Sequence, residues 1–284
     1  MSEKSACWLF VNPSSGSNEE SSAERLTHLL EERLWTVDRV VTIPGDDFPE
    51  PRDLDDAGVK LAVIYTGDGS ANAVLQALNS WGGEVLVLPG GTMNLLAKRL
   101  HGEAEFEEIL DIVAGGGALP RRITGARCEA GLAFAGLLVG PGTCFNNVRE
   151  SMRRGTIAEM ASDTIDALKS TSEGPKVGIE GHRLSRDEGY PLLEITPGEH
   201  GLQINGYYAE DALDFTATAW ATLRRQFREG PNDRLGILET MAIVSEDGST
   251  LPCLIDGEPA ECASGSTFEV EQACVDLLAT SHDI

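Results

Sequence analysis

Between Leu61 and Leu100 the chain passes twice through one pattern: a short apolar run, a glycine turn, then apolar residues at helical spacing. Leu61-Ala62-Val63-Ile64-Tyr65 has the character of a strand buried on both faces of a parallel sheet. It leads into Thr66-Gly67-Asp68-Gly69-Ser70, after which Ala71, Val74, Leu75 and Leu78 share a helix face. Val85-Leu86-Val87-Leu88, Pro89-Gly90-Gly91-Thr92-Met93-Asn94 and a helix bearing Leu95, Leu96 and Leu100 repeat the unit. Two such turns on one sheet edge aim backbone N–H groups at a single crevice, the usual ligand position of open α/β sheets. Unpaired donors and the positive end of the helix dipole make that crevice suited to phosphate. Asp68 is the odd element, because a carboxylate repels phosphate unless a metal ion or a reacting hydroxyl lies between them. The competing reading is that Gly67 and Gly69 serve the turn and Asp68 caps a helix. One glycine loop alone does not separate the two.

Four motifs in order carry a resemblance. Gly67-Asp68-Gly69-Ser70 with Asn72 resembles the GGDGT-x-N-E loop of the diacylglycerol kinase catalytic-domain family, and Pro89 to Asn94 is similar to its P-x-G-T-x-N loop. Asn12-Pro13-Ser14-Ser15-Gly16 resembles its N-P-x-S-G loop, and Asp256-Gly257-Glu258 its D-G-E motif. The family includes bacterial lipid kinases and sphingosine kinases and is distantly related to NAD kinases. The resemblance implies a Rossmann-like α/β N-terminal domain, a C-terminal β-sandwich, and ATP with Mg2+ between them. It also implies transfer of the γ-phosphate to a hydroxyl of a diacylglycerol-like or sphingoid lipid.

Composition sets bounds on the same chain. Its 284 residues, 41% apolar, suffice for one large or two ordinary domains. No run approaches the roughly 20 apolar residues of a membrane span, and Met1-Ser2-Glu3-Lys4 lacks a signal-peptide pattern. A soluble, cytoplasmic protein is expected. The six cysteines, at 7, 128, 144, 253, 262 and 274, contain no C-x-x-C pair, which favours reduced thiols over a zinc ribbon or a disulfide framework. A net charge of −24 disfavours nucleic acid as a partner, and equally a general attraction to anionic lipid. Transient membrane-surface contact would then need a local patch. Arg149, Arg153 and Arg154, or Arg224, Arg225 and Arg228, are candidates that read equally as solvated helix faces.

Along the chain, Ala6 to Val11 reads as the first strand, Leu26, Leu29 and Leu30 as one helix face, and Val37 to Ile43 as the second strand. Asp46 to Gly58 reads as a loop with a short helix, and Phe106 to Val113 as a further helix ending at Gly115-Gly116-Gly117. The triple glycine marks the boundary: 1–117 as a nucleotide-binding α/β domain, completed by 273–284 if the last segment crosses back as in the family. Residues 118–272 form the acceptor domain. Strands are expected at 120–128, 132–139, 176–179, 189–196, 201–204, 213–218, 238–244, 251–255 and 267–270, with a helix carrying Ile157, Met160, Ala161, Ile165 and Leu168.

Phosphoryl transfer to an alcohol needs a cradle for the donor phosphates, offsetting charge, and an acceptor for the hydroxyl proton. By resemblance the nucleotide is held by Asn12, Pro13, Ser14, Ser15, Gly16, Thr42, Gly67, Asp68, Gly69, Ser70, Gly91, Thr92 and Asn94. Thr42 reads equally as an ordinary strand residue. No Walker lysine is present, which leaves helix dipoles, magnesium, Lys98 or Arg99 to balance charge. Related bacterial lipid kinases imply Glu258 as the base, with Asp256 as its partner or a magnesium-linked group; sphingosine and NAD kinases imply Asp68. Asp256-Gly257 also reads as a plain β-turn. The magnesium ligands are not identified, Asp211 and Asp214 being the nearest acids to a metal loop. Thr66, Ala73 and Leu95 depart from the family pattern, the last two replacing acids. An NAD kinase-like enzyme acting on a soluble substrate and a catalytically inactive nucleotide-binding regulator are the alternatives.

Overall fold

A computed structural model describes residues 4–13, 20–33, 35–144, 174–182, 186–207 and 232–281. Two compact units divide the chain: Met1–Ile123 with Gln272–Ile284, and Thr124–Glu271.

The first unit is built on strands β1 (Ser5–Val11), β2 (Trp35–Thr42), β3 (Leu61–Thr66), β4 (Glu84–Pro89) and β5 (Leu119–Arg121), with β17 (Asp276–Ala279) from the end of the chain. Their order is β2-β1-β3-β4-β17-β5. β2, β1, β3, β4 and β17 run parallel, and β5 pairs antiparallel with β17 at the edge. All six residues of β3 are buried, as are Val85 to Leu88 of β4, which is why both read as continuous apolar runs. Helices α1 (Glu20–Glu32), α2 (Pro51–Asp56), α3 (Asp68–Ala77), α4 (Leu95–His101) and α5 (Phe106–Ala114) link them. The apolar positions spaced for helices meet the sheet as expected: Leu26 and Leu30 of α1, with Ile109 and Leu110 of α5, join Leu9, Val63, Leu86 and Leu278 in one core.

Strand order reverses between β1 and β3, because the chain steps one way to β2 and then back across to β3. Such a switch point opens a crevice at the carboxyl ends of the strands. Register places Val11 beside both Thr42 and Tyr65, and Thr66 beside Pro89. The carboxyl ends of β2, β1, β3 and β4 therefore lie side by side on one edge.

In the second unit, strands β6 (Thr124–Cys128), β7 (Gly131–Ala133), β8 (Leu137–Val139), β9 (Val177–Ile179), β10 (Leu192–Gly198) and β11 (Gly201–Tyr207) precede β12 (Asn232–Leu238), β13 (Thr240–Ser245), β14 (Leu251–Ile255), β15 (Glu258–Cys262) and β16 (Ser266–Gln272). They form two sheets, β12-β11-β10-β8-β14-β15 and β7-β6-β16-β13-β9. Ala126, Cys128, Ile243 and Phe268 of one sheet and Leu137, Ile195, Ile204 and Cys253 of the other share a single buried cluster. This is an antiparallel β-rich region packed as two sheets.

Several boundaries differ from the sequence reading. The expected strand over 120–128 is two strands in two units, β5 closing the first sheet and β6 opening the second, so the changeover falls at Ile123/Thr124 rather than at the glycine run. The expected strand over 132–139 is broken at Phe134-Ala135-Gly136, whose N–H groups turn away from the ladder to a carboxylate described below. β15 is not among the strands expected from the sequence because, at the sheet edge, its Glu-Pro-Ala-Glu-Cys carries little apolar alternation. β12 likewise lies outside the expected strands. The expected strand over 213–218, the helix over 157–168, Ser14, Ser15, Gly16, Asp211, Asp214 and the two arginine groups lie outside the described residues. Among the described residues no helix is long and apolar enough to cross a membrane.

His101 ties the returning segment to the first sheet. Its Nε2 donates to the Val87 carbonyl at 3.0 Å, which leaves Nδ1 to accept from the Thr280 hydroxyl at 3.0 Å. The Thr280 and Ser281 N–H groups both donate to the Leu100 carbonyl. Burial lowers the His101 pKa from 6.5 to about 4, partly opposed by the bond to Val87. The unfolded chain therefore takes up a proton that the native ring refuses, and stability contributed by this site is lost as pH falls through that window. Urea unfolding of the first unit is expected to lose about 2 kcal/mol between neutral pH and about pH 5 from this group, and His101→Gln is expected to remove that share of the pH dependence.

Candidate active site

The first glycine turn follows β3 because Thr66 is the last buried strand residue and Gly67, extended at φ −77° and ψ 167°, caps α3. At the neighbouring strand end, Asn12 donates from Nδ2 to the Ser70 hydroxyl at 2.9 Å, joining the loop after β1 to the first turn of α3. Thr42 ends β2 beside Val11, its N–H held by the Asp46 carboxylate at 2.7 Å. A groove of about 640 Å³ is lined there by Val11, Pro13, Thr42 and Tyr65, with Ala23 and Thr27 from α1.

The second turn packs directly on the first. A Cβ on Gly90 would lie 2.6 Å from the Thr66 nitrogen, and one on Gly91 would lie 2.5 Å from the Gly67 Cα. Asn94, left-handed at φ 53°, locks the loop by accepting from the Gly91 N–H at 2.6 Å and donating to the Gly91 carbonyl at 2.9 Å. These paired bonds identify which end of the Asn94 amide is oxygen. Thr92 at the tip is exposed.

Asp68 has a definite partner. Its two carboxylate oxygens accept the N–H groups of Leu95 and Leu96 at 3.1 and 2.9 Å, so the residue that opens α3 caps the start of α4. The two turns thus do not present two open helix ends. The second end is closed by the aspartate of the first, which explains a carboxylate inside a glycine turn without any ligand. Leu95, where the family pattern has an acid, is exposed, and Ala73 is half-buried.

Asp256, Gly257 and Glu258 lie in the second unit. Leu254 pairs with Pro259 and Ile255 with Glu258, so Asp256-Gly257 is the two-residue turn of the β14–β15 hairpin, with φ of 49° and 88°. Positive φ at both positions matches a type I′ turn, for which Asp-Gly is a preferred pair. Asp256 is nevertheless buried, and its carboxylate accepts N–H groups from Phe134, Ala135 and Gly136 at 2.9, 2.8 and 2.9 Å. Three consecutive donors of this kind form an anion-binding nest, here filled by the protein itself. Such commitment to backbone argues against Asp256 as a magnesium-linked group. Glu258 is exposed where the hairpin resumes. Among the described residues no group of three or more His, Cys, Asp or Glu side chains is arranged to hold a metal ion.

With this geometry in view, comparison with known proteins is specific. Residues 6–124 match the family model of the diacylglycerol kinase catalytic domain. A solved diacylglycerol kinase from Bacillus anthracis str. Sterne superposes with a TM-score of 0.62 at 12% identity, covering 100% of both chains. Two further structures from that strain, provisionally assigned as diacylglycerol kinases, give TM-scores of 0.63 at 13% and 12% identity. They cover 99% of this chain and 97% and 99% of their own. No curated protein sequence matches the chain. The sequence resemblance to the diacylglycerol kinase catalytic domain thus holds over residues 6–124, and the likeness to the three solved structures is one of fold.

The nest and the glycine contact, neither visible as such in the sequence, each have a measurable consequence. Asp256→Asn retains a residue that tolerates the turn but replaces one acceptor oxygen by a donor. It is expected to lower stability by about 1–3 kcal/mol in urea unfolding, because backbone donors are left buried without a partner. Gly91→Ala forces two backbone segments apart and is expected to cost about 1–3 kcal/mol in thermal or urea unfolding; an unchanged transition would mean the turns are not in contact.

Proposed function

We propose that the protein is an ATP-dependent lipid kinase, transferring the γ-phosphate to a hydroxyl of a diacylglycerol-like or sphingoid lipid. The observation that carries this reading is the coincidence of the catalytic-domain match over residues 6–124 with paired glycine turns at the switch point of a parallel sheet. Asn12, Ser70 and Asp68 link three chain segments at that point, as a phosphate-facing rim requires.

In this reading, backbone donors of the turn at Gly67 to Ser70, with the exposed Thr92 beside it, bind the phosphates, and Gly91 and Asn94 hold the second turn in shape through their bonds to each other. The loop from Asn12 to Gly16 and Thr42 flank the nucleotide. Magnesium, when bound, would supply charge neutralisation on the phosphates, while Asp68 holds the second turn against the first through the Leu95 and Leu96 N–H groups. Glu258 takes the proton of the acceptor hydroxyl as that oxygen bonds to the γ-phosphorus. The bond from γ-phosphorus to the bridging oxygen breaks, and ADP leaves. Asp256 supports the hairpin that presents Glu258, consistent with its commitment to three backbone donors. Since net charge is −24, contact with a membrane surface would be brief and driven by local apolar or basic groups rather than by long-range attraction.

Purified protein with magnesium and radiolabelled ATP is expected to label at least one lipid in a panel of diacylglycerols and sphingoid bases. Glu258→Gln is expected to lower that rate by about 10²–10⁴-fold, the usual worth of a general base, with little change in ATP affinity. Label appearing on NAD instead would transfer the assignment to a soluble-substrate kinase. ATP binding without label on any acceptor would make the protein a nucleotide-binding regulator.

A further inference from the structure

The groove of about 640 Å³ beside β1 has two unlike walls. Register places Val11 beside Thr42 and Leu9 beside Val40, so its floor starts at the strand ends and runs two residues back along the edge strand β2. Val11, Pro13, Val40 and Tyr65 make that side largely apolar, and Val40 remains 43% exposed although it is a large aliphatic side chain. The opposite side is polar. Glu24, Thr27, His28 and Glu31 stand at i, i+3, i+4 and i+7 on α1, hence on one flank of the helix.

Charge decides which end of a ligand this groove can take. Among the described residues that line it are two carboxylates and no lysine or arginine, so phosphate is repelled and an uncharged, flat group is favoured. The turn at Gly67 to Ser70 follows β3, which lies beyond β1, about 10 Å from the end of β2 at the strand spacing of a sheet. A ribose bridges such a span between phosphate and base. The Asn12–Ser70 bond holds that path together. Because β1 and β2 are parallel, α1 carries the chain back from their carboxyl ends to their amino ends. Glu24 therefore stands at the mouth of the groove, and Glu31, roughly 10 Å further along the helix, at its inner end. His28 turns to its own helix, its Nδ1 lying 3.5 Å from the Glu32 Oε1.

We propose that Glu31 is a specificity-determining residue for the donor nucleotide, accepting a hydrogen bond from the exocyclic amine of adenine at the inner end of this groove. The inference rests on the kinase reading above and adds to it the side chain that reads the base. A carboxylate accepts and cannot donate, so it favours an amino group at that edge of the ring and repels a ring carbonyl placed there. The ring lies over Val40, covering the aliphatic surface that α1 leaves open, with Thr27 bordering it from the helix. The two glutamates keep the phosphates out of the groove and so set the direction in which the nucleotide lies.

Titration calorimetry on the full-length protein with magnesium tests this without any acceptor lipid. The wild type is expected to bind ATP about tenfold more tightly than purine riboside triphosphate, which lacks only the amino group of the ring. Glu31→Met is expected to bring ATP down to the affinity of that analogue and to leave the analogue itself unchanged. Thr27→Trp, which fills the groove, is expected to weaken ATP by about tenfold or more, while tripolyphosphate binds as it does to the wild type. Equal wild-type affinity for ATP and the analogue, a preference for ATP that survives Glu31→Met, or ATP binding indifferent to Thr27→Trp would overturn the assignment and leave the kinase reading standing. A wild type that binds neither ATP nor tripolyphosphate would remove both.

Discussion

Everything at the candidate active site depends on the approach of two backbone turns too close for any side chain to stand between them. Gly91 rests on Gly67, and Gly90 rests on the Tyr65–Thr66 peptide. Glycine is required there for space rather than for unusual torsion, because neither residue adopts a left-handed φ. Once the turns touch, the Asp68 carboxylate reaches the first N–H groups of α4, and the Asn94 amide closes its own loop. Strand ends that would otherwise be independent become one rigid edge on which Asn12 is also fastened, through Ser70.

A second theme is the use of carboxylates as fillers of backbone anion sites. Asp68 occupies the start of α4, and Asp256 occupies the nest of Phe134 to Gly136. Both residues sit in motifs that resemble catalytic ones, and both are bound to peptide N–H groups. A carboxylate held in this way fixes the position of its neighbours. For Asp256 the neighbour is Glu258, at the start of an edge strand whose own apolar content could not place it. Division of labour between a positioning acid and an exposed acid follows from burial and hydrogen bonding, and motif spelling does not distinguish them.

The chain closes the first unit by a return path. After β5 and Ile123 it builds the whole second unit, then re-enters at Gln272 so that β17 fits between β4 and β5. The Ala273 N–H donates to the Ile123 carbonyl at 2.8 Å, bringing the outgoing and incoming strands together. His101 and Leu100 then hold Thr280 and Ser281. A buried neutral imidazole suits this junction, because it offers one donor and one acceptor at opposite ends of a rigid ring.

The local periodicity of the chain was sufficient for the strand and helix character of the first unit, its glycine turns and the family resemblance, because buried parallel strands and amphipathic helices write their burial into successive residues. Residues 61–65, 85–88 and 106–113 are the clearest cases. Tertiary structure alone decided what those residues touch: that Asp68 caps a different helix, that Asp256 faces a loop more than a hundred positions earlier, that Cys128, Cys253 and Cys262 share one buried cluster. Each of these is a contact between segments far apart in sequence, and a linear pattern records only what a residue's near neighbours require. β15 shows the same limit from the other side, since an edge strand is held by one ladder and needs no apolar alternation to announce it.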